Sequence, residues 1–130
     1  MPGISVKLPL SLDKIDGPFT LNKTLKEATK QNLKNLILTS PGERIMDPLF
    51  GCGVRNFLFE NNDNFTANEI SGRIRDQVRI YLPHITIVDI KIVNTQNADP
   101  LSDMGPHEMA IKLIYVIKQI NTSDELDIKF

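Results

Sequence analysis

Tryptophan is absent from this sequence, cysteine occurs once, and no apolar run is long. A single cysteine cannot form an intrachain disulfide, so nothing in the sequence indicates an oxidising compartment. No run approaches the ~18–20 apolar residues of a membrane-spanning helix, and residues 1–16 lack the apolar core of a signal peptide. We therefore expect a protein that is cytoplasmic where it is made.

An excess of charge of one sign is also lacking, and aromatic residues are few. The 15 basic and 16 acidic residues give a formal net charge of −1, so the chain has no general attraction for polyanions. Aromatic residues make up 6% of the chain, too few to predict a stacking platform for single strands. We expect neither a nucleic acid nor a membrane among the partners.

The length of 130 residues fits one compact domain preceded by a short arm. Residues 1–21 are interrupted by several Pro and Gly residues, and we predict an N-terminal arm there. Residues 22–130 are predicted to form a single domain. Its first helix begins near Asn22 and is ended by Pro41 and Gly42.

A second helix follows a polar loop. Thr66 and Glu69 have the spacing of a capping box, so we predict that the helix starts there. An apolar stripe runs from there to Tyr81, and Pro83 stops the helix because the residue before a proline resists the α conformation.

The last third of the chain alternates in the manner of β-strands. Val88, Ile90 and Ile92 share one phase, whereas Ile85 and Ile87 are out of phase with them, which predicts a bulge or a change of buried face. A long loop over Gln96–Glu108 separates this strand from the next.

The remaining two strands complete a small sheet. The segment "MAIKLIYVIKQI" is apolar on both faces and is predicted to be the middle strand. A short terminal strand, Glu125–Phe130, places Leu126, Ile128 and Phe130 on one side. The fold class is therefore predicted to be α+β, with two main helices packed on one face of a small, about three-stranded antiparallel sheet.

Candidate chemistry centres on the Gly- and Pro-rich stretch from Thr39 to Glu60. Glu43, Asp47 and Glu60 are possible acid–base residues, but a glycosidase needs two carboxyl groups roughly 5–9.5 Å apart, which spacing in sequence cannot show. An ion pair between Glu43 and Arg44 that fixes the loop explains the same residues more simply.

Cys52 is the only possible thiol nucleophile. It could pair with His84 or His107, but it lies between two glycines without a nucleophile motif, and a small buried residue in a tight turn is the simpler interpretation. One cysteine and two separated histidines supply no metal cluster. We predict no catalytic residues, no metal, no cofactor and no small-molecule substrate.

Three arginines, Arg73, Arg75 and Arg79, lie on the second helix. They form either a solvated helix face or a contact surface for an acidic partner.

The stretch from Thr39 to Glu60 can also be structural. Its glycines and prolines shape a long connection. Seven apolar side chains are predicted to pin it to the core: Ile45, Met46, Leu49, Phe50, Phe57, Leu58 and Phe59.

The same stretch resembles the signature of the gene-25-like baseplate wedge family. That family occurs in contractile phage tails, contractile bacteriocins and type VI secretion baseplates. Its pattern runs approximately Leu-x-Thr-x-x-Gly-Glu-Arg, a short gap, Pro-x-Phe-Gly, then Leu-Phe-Glu. The matching positions are Leu38, Thr39, Gly42, Glu43, Arg44, Pro48, Phe50, Gly51, Leu58, Phe59 and Glu60. Many members end the second long helix with Glu-Pro-Arg, but this chain has Leu82-Pro83-His84 and retains only Pro83.

The resemblance implies a non-enzymatic wedge subunit of a contractile tail or related device. Its partners would be other baseplate wedge subunits and the tail sheath protein, whose assembly it would help to initiate. It would be located in the host cytoplasm during assembly and in the virion baseplate afterwards. The terminal strand, with Leu126, Ile128 and Phe130, is the candidate partner-binding edge.

Two alternatives stay open. Some family members have been labelled lysozymes, so one alternative is a peptidoglycan hydrolase that uses Glu43 with Asp47 or Glu60. The other is an adaptor domain of the same fold that binds an unrelated regulator.

Overall fold

A computed structural model describes residues 3–15, 17–61, 63–93 and 108–130. The chain divides into two compact units, Met1–Asn35 and Leu36–Phe130. Helices occur together with a two-stranded and a three-stranded antiparallel sheet, so the predicted α+β class is confirmed. None of the described helices is long and apolar enough to cross a membrane.

The first unit contains a short antiparallel ladder. Strand β1 (Ser5–Val6) pairs with β2 (Leu21–Asn22), and helix α1 (Leu25–Leu38) follows. The Gln31 side chain of α1 holds this segment: its Oε1 accepts from Leu8 N and Asn22 Nδ2, and its Nε2 donates to Val6 O, each at 2.9 Å. Residues of the predicted arm are thus bonded to the helix that follows them in this unit.

Helix α2 (Asn64–Tyr81) begins earlier than the capping-box spacing predicts. Asp63 is the N-cap, and its side chain accepts a hydrogen bond from Thr66 N at 2.9 Å. The prediction that the helix starts at Thr66 is therefore wrong, because the acidic residue three positions earlier takes the capping role. The predicted end is confirmed, since the helix stops at Tyr81 and Leu82 N makes the last bond, to Val78 O, before Pro83.

The second unit contains the main sheet, with strand order β3-β4-β5 and all pairs antiparallel. The strands are β3 (Ile85–Val93), β4 (Ala110–Ile117) and β5 (Thr122–Lys129). The prediction that the second segment forms the middle strand is confirmed, and its alternate side chains Ile111, Leu113, Tyr115 and Ile117 are all buried. Most of the loop predicted over Gln96–Glu108 lies outside the described residues.

The predicted irregularity in β3 is a β-bulge. The pairing with β4 shifts between Ile87 and Asp89, which leaves Val88 as the extra residue with an exposed side chain. Beyond the bulge Ile90 pairs with Leu113, so the two out-of-phase sets of isoleucines turn to the same buried face. The prediction that Val88 shares a face with Ile90 and Ile92 is therefore wrong.

The candidate functional site: signature loop and sheet edge

The signature loop is the stretch from Thr39 to Glu60 between α1 and α2, and backbone hydrogen bonds connect its two ends. Cys52 N donates to Leu36 O and Gly53 N to Thr39 O, both at 3.1 Å, so the end of the loop returns to its beginning. Within the loop, Gly42 N donates to Pro48 O at 2.8 Å. The loop ends in a 3₁₀ helix, Val54–Phe59, in which Val54 and Phe57 are buried.

Gly51 is buried at the closest approach of the two ends of this loop. Its φ of 117° lies in a region that residues with a side chain rarely adopt. A Cβ atom at this position would also overlap Thr39 O and lie 2.8 Å from Thr39 C. Only glycine therefore fits, for two independent reasons.

A side chain of α2 that the sequence did not single out completes the loop. Gln77 Oε1 accepts a hydrogen bond from Gly51 N at 3.1 Å, and Gln77 Nε2 donates to Leu49 O at 3.2 Å. One amide group thus satisfies two backbone groups of the loop. No local signal marks this glutamine, because its partners lie 26 and 28 residues away in sequence.

Arg44, Phe50 and Tyr81 form a stack beside the loop. The Arg44 guanidinium carbon lies 3.9 Å from the centroid of the Phe50 ring, and Phe50 meets Tyr81 edge-on with ring centroids 4.9 Å apart. The Tyr81 hydroxyl donates to Asp47 Oδ1 at 3.1 Å. Phe50 and Arg44 therefore hold the loop against the end of α2.

The predicted ion pair between Glu43 and Arg44 is not formed. Among the described residues, Glu43 makes no salt bridge, and the Arg44 guanidinium lies over Phe50 instead. Glu43 and Glu60 are exposed, and neither sits in the apolar pocket that general-acid catalysis by a carboxylic acid uses. The carboxylate of Asp47 accepts the hydrogen bond from Tyr81.

Cys52 is buried in the loop, and desolvation raises the pKa of its thiol to about 12. The group is therefore a thiol at neutral pH and not the thiolate that a nucleophile requires. His107, one of its two possible partners, lies outside the described residues. Within the described ranges, no group of three His, Cys, Asp or Glu residues could hold a metal ion.

The apolar side chains of the stretch do not pin it to the core in the way that the sequence predicts. Of the seven, Phe57 is buried and Phe50 is half-buried. The others are exposed: Ile45 (94%), Met46 (96%), Leu49 (74%), Leu58 (44%) and Phe59 (95%). This part of the prediction is wrong, because hydrogen bonds and the Phe50 stack hold the loop while most apolar side chains point into solvent.

Strand β5 is an edge of the main sheet, and it begins earlier than predicted. It starts at Thr122 rather than Glu125, and Leu126 and Ile128 are buried in the core. Phe130 lies beyond the strand, half-buried, and exchanges backbone bonds with Met109 in both directions.

Those two bonds identify the free side of β5. Bonded and non-bonded pairs alternate along an antiparallel ladder, so every second residue back from Phe130 bonds to β4. The intervening residues direct their N–H and C=O groups away from β4: Ser123, Glu125, Asp127 and Lys129. Glu125 N already donates to Asp124 Oδ1 at 2.9 Å. The free edge is therefore offered by the other outward backbone groups of this polar set and not by those of Leu126, Ile128 and Phe130.

The α+β fold is shared with two solved structures. One is a Geobacter sulfurreducens protein designated a candidate tail lysozyme, with a TM-score of 0.69 and 21% identity over 85% of this chain and 94% of that chain. The other is a chain of the anti-feeding prophage baseplate, with a TM-score of 0.69 and 24% identity over 87% of this chain and 83% of that chain. Both likenesses establish the fold.

The family follows from the sequence. The family model described as baseplate wedge protein gp25 matches residues 23–122, and the chain belongs to that family. Baseplate wedge protein gp25 of Enterobacteria phage T4 is 36% identical over 64 residues, which are 49% of this chain and 48% of the relative. The match thus spans about half the length of that curated relative. The resemblance inferred from the signature is confirmed.

Proposed function

We propose that this protein is a structural, non-enzymatic baseplate wedge subunit of a contractile phage tail or related injection device. It joins other wedge subunits to the tail sheath and helps to initiate sheath assembly. It is located in the host cytoplasm during assembly and in the tail baseplate of the mature particle. Membership of the gp25 family supports this role. The proposal includes no cofactor and no nucleic-acid, membrane or small-molecule partner.

The observation that carries the proposal is the exposure of apolar side chains in and beside the family signature. Ile45, Met46 and Phe59 are almost fully exposed, although the loop that bears Ile45 and Met46 is held in place by hydrogen bonds. Exposed apolar side chains on a fixed loop reduce solubility, and such side chains commonly form protein–protein interfaces. We assign these side chains to contacts with other wedge subunits.

The free edge of β5 is assigned to the sheath. Its outward N–H and C=O groups can pair with an added strand, and main-chain hydrogen bonds would provide the affinity. Strand addition needs no apolar side chain on the edge itself, which fits the polar residues found there.

Co-expression with candidate wedge and sheath subunits tests the role, with complexes measured by size-exclusion chromatography and mass determination. We expect a stable complex with wedge subunits. Asp127→Pro removes an outward N–H without breaking the ladder to β4, so it should block the sheath contact, whereas Asp127→Ala should not. If the protein stays monomeric and binds none of the co-expressed tail proteins, the assembly role is overturned and the adaptor alternative is favoured.

The hydrolase alternative has a separate test. We expect purified protein to leave peptidoglycan intact, because Glu43 is exposed and Asp47 is bonded to Tyr81. Hydrolysis that disappears in Glu43→Gln while the fold is retained would replace the structural role with an enzymatic one. The packing of both long helices on one face of the sheet, and the division into residues 1–21 and 22–130, stay predictions.

A further inference from the structure

A cleft separates the C-terminal half of α2 from the first residues of β3. Its volume is about 400 Å³, within the size range of natural binding sites. It lies wholly in the second unit, and none of its described lining residues belongs to the signature loop. Its lining residues are Arg75, Val78, Arg79, Pro83, Ile85, Thr86, Ile87 and Lys118.

The three arginines of α2 divide between two environments. Arg73 faces away from the cleft, with its guanidinium 3.7 Å from Glu69 and 4.9 Å from the centroid of Phe57. Arg75 and Arg79 are one turn apart and both line the cleft. Of the three arginines on this helix, Arg73 therefore lies outside the cleft, and Arg75 and Arg79 line it.

Positive charge in the cleft is only weakly balanced. Lys118 adds a third positive charge to those of Arg75 and Arg79, and no carboxylate is among the described residues that line the cleft. Arg79 has Asp76 at 3.8 Å in an exposed pair, whereas Arg75 has no salt-bridge partner in the described part of the chain. Like charges one turn apart on a helix repel each other, so a bound anion would relieve this repulsion.

The wall of the cleft is apolar. Val78 and Ile85 are buried, and Pro83 and Ile87 lie beside them. Lys118 Nζ donates to Pro83 O at 3.4 Å, which places the ammonium group at the cleft. A ligand that fits must therefore combine negative charge with an aliphatic group.

We propose that this cleft binds an acidic segment of a partner protein, with an aliphatic side chain against Val78 and Ile85 and carboxylates facing Arg75, Arg79 and Lys118. A free phosphate would leave the apolar wall unused. A nucleic acid is disfavoured by the net charge of −1 and the scarcity of aromatic residues. The inference does not rest on the baseplate role, since any partner with this chemistry fits.

The test uses the full chain labelled with ¹⁵N and a blocked probe peptide of sequence Glu-Glu-Ile-Glu-Leu-Glu. We expect the peptide to shift the amide resonances of Val78, Arg79, Thr86 and Lys118. The double variant Arg75→Glu with Arg79→Glu should weaken binding by at least about tenfold, because both charges are reversed. Arg55→Glu makes a charge reversal outside the cleft and should leave the affinity unchanged.

Three results would overturn the proposal. The first is the absence of shifts at millimolar peptide. The second is equal binding of a peptide in which lysine replaces glutamate. The third is displacement of the peptide by an equal concentration of inorganic phosphate, which would reduce the cleft to a simple anion site. Arg75→Gln is the milder variant if the double reversal unfolds the protein. It should still weaken binding, because Arg75 has no salt bridge to another described residue that the substitution would break.

Discussion

The main sheet and the signature loop are both rich in apolar residues and use them in opposite ways. In β4, every second side chain is buried, and the bulge at Val88 brings the isoleucines of β3 to the same face. In the loop, Ile45 and Met46 are almost fully exposed. Apolar burial therefore stabilises the sheet, whereas hydrogen bonds and glycine geometry shape the loop.

This difference suggests what each region contributes. Side chains that are buried within one chain cannot contact another protein. The sheet therefore acts as a scaffold, with a free polar edge at β5. The loop does not need the exposed side chains of Ile45 and Met46 for its own conformation, since Gln77 and Phe50 hold it. Those side chains remain available to another protein.

The largest expected effect is in the sheet. Leu113→Ala removes a fully buried side chain from the middle strand and should reduce the free energy of unfolding by about 4 kcal/mol. Urea denaturation followed by circular dichroism measures this change. A loss below about 1 kcal/mol would show that β4 is not the centre of a close-packed core.

The next effect is in the loop backbone. Gly51→Ala forces a side chain into a positive φ and against Thr39, and should cost about 3 kcal/mol. Gly42→Ala is the matched control: its φ is 92°, but a Cβ there meets nothing within 4 Å, so it should cost clearly less. Equal costs would mean that the close approach to Thr39 is unimportant. The larger variant Gly51→Val should be worse than Gly51→Ala.

Gln77 gives a smaller effect of the same kind. Gln77→Ala leaves Gly51 N and Leu49 O without their partner and should cost about 1–3 kcal/mol. Gln77→Glu keeps the acceptor for Gly51 and loses only the donor to Leu49, so its cost should be intermediate. If both variants match the wild type in urea denaturation, the loop is held by other contacts.

A pH-dependent effect is expected at the start of α2. The hydrogen bond from Thr66 N lowers the pKa of Asp63, so the folded state favours the charged carboxylate. This stability is present above the ordinary Asp pKa of 3.8 and is lost as the pH falls through the lowered value. Asp63→Ala should lower Tm by a few degrees at pH 7 and by less at pH 2. A Tm difference that is the same at both pH values would show that the charge on the Asp63 carboxylate does not contribute to stability.

The parts of the sheet that could be predicted from the sequence are those set by local alternation. The bulge follows from the side-chain period of two, and the middle strand follows from apolar residues on both of its faces; both patterns are visible within one segment. The start of α2 differs from the predicted one because "NNDNFTANE" offers several capping residues, and only the structure shows that Asp63 takes that role.

The contacts that hold the loop could not be predicted in the same way. Gln77 and Tyr81 bond to residues 26 to 34 positions earlier, and such distant pairs leave no periodic pattern. The exposure of Ile45 and Met46 could not be predicted for a different reason. The sequence alone does not distinguish an apolar loop residue that is buried in the core from one that is exposed and contacts another protein.

The smallest expected change in stability belongs to the double variant Ile45→Ser with Met46→Ser. Both side chains are already exposed, so the free energy of unfolding should stay within about 0.5 kcal/mol of the wild type. Leu113→Ala provides the contrasting variant.

The most direct test of the account measures both properties of this double variant: its urea denaturation, and its complex with the co-expressed wedge subunits by sedimentation velocity. We predict wild-type stability together with loss of the wedge complex. An intact complex would contradict the assignment of the exposed loop side chains to a wedge contact, and a large loss of stability would show that they support the fold.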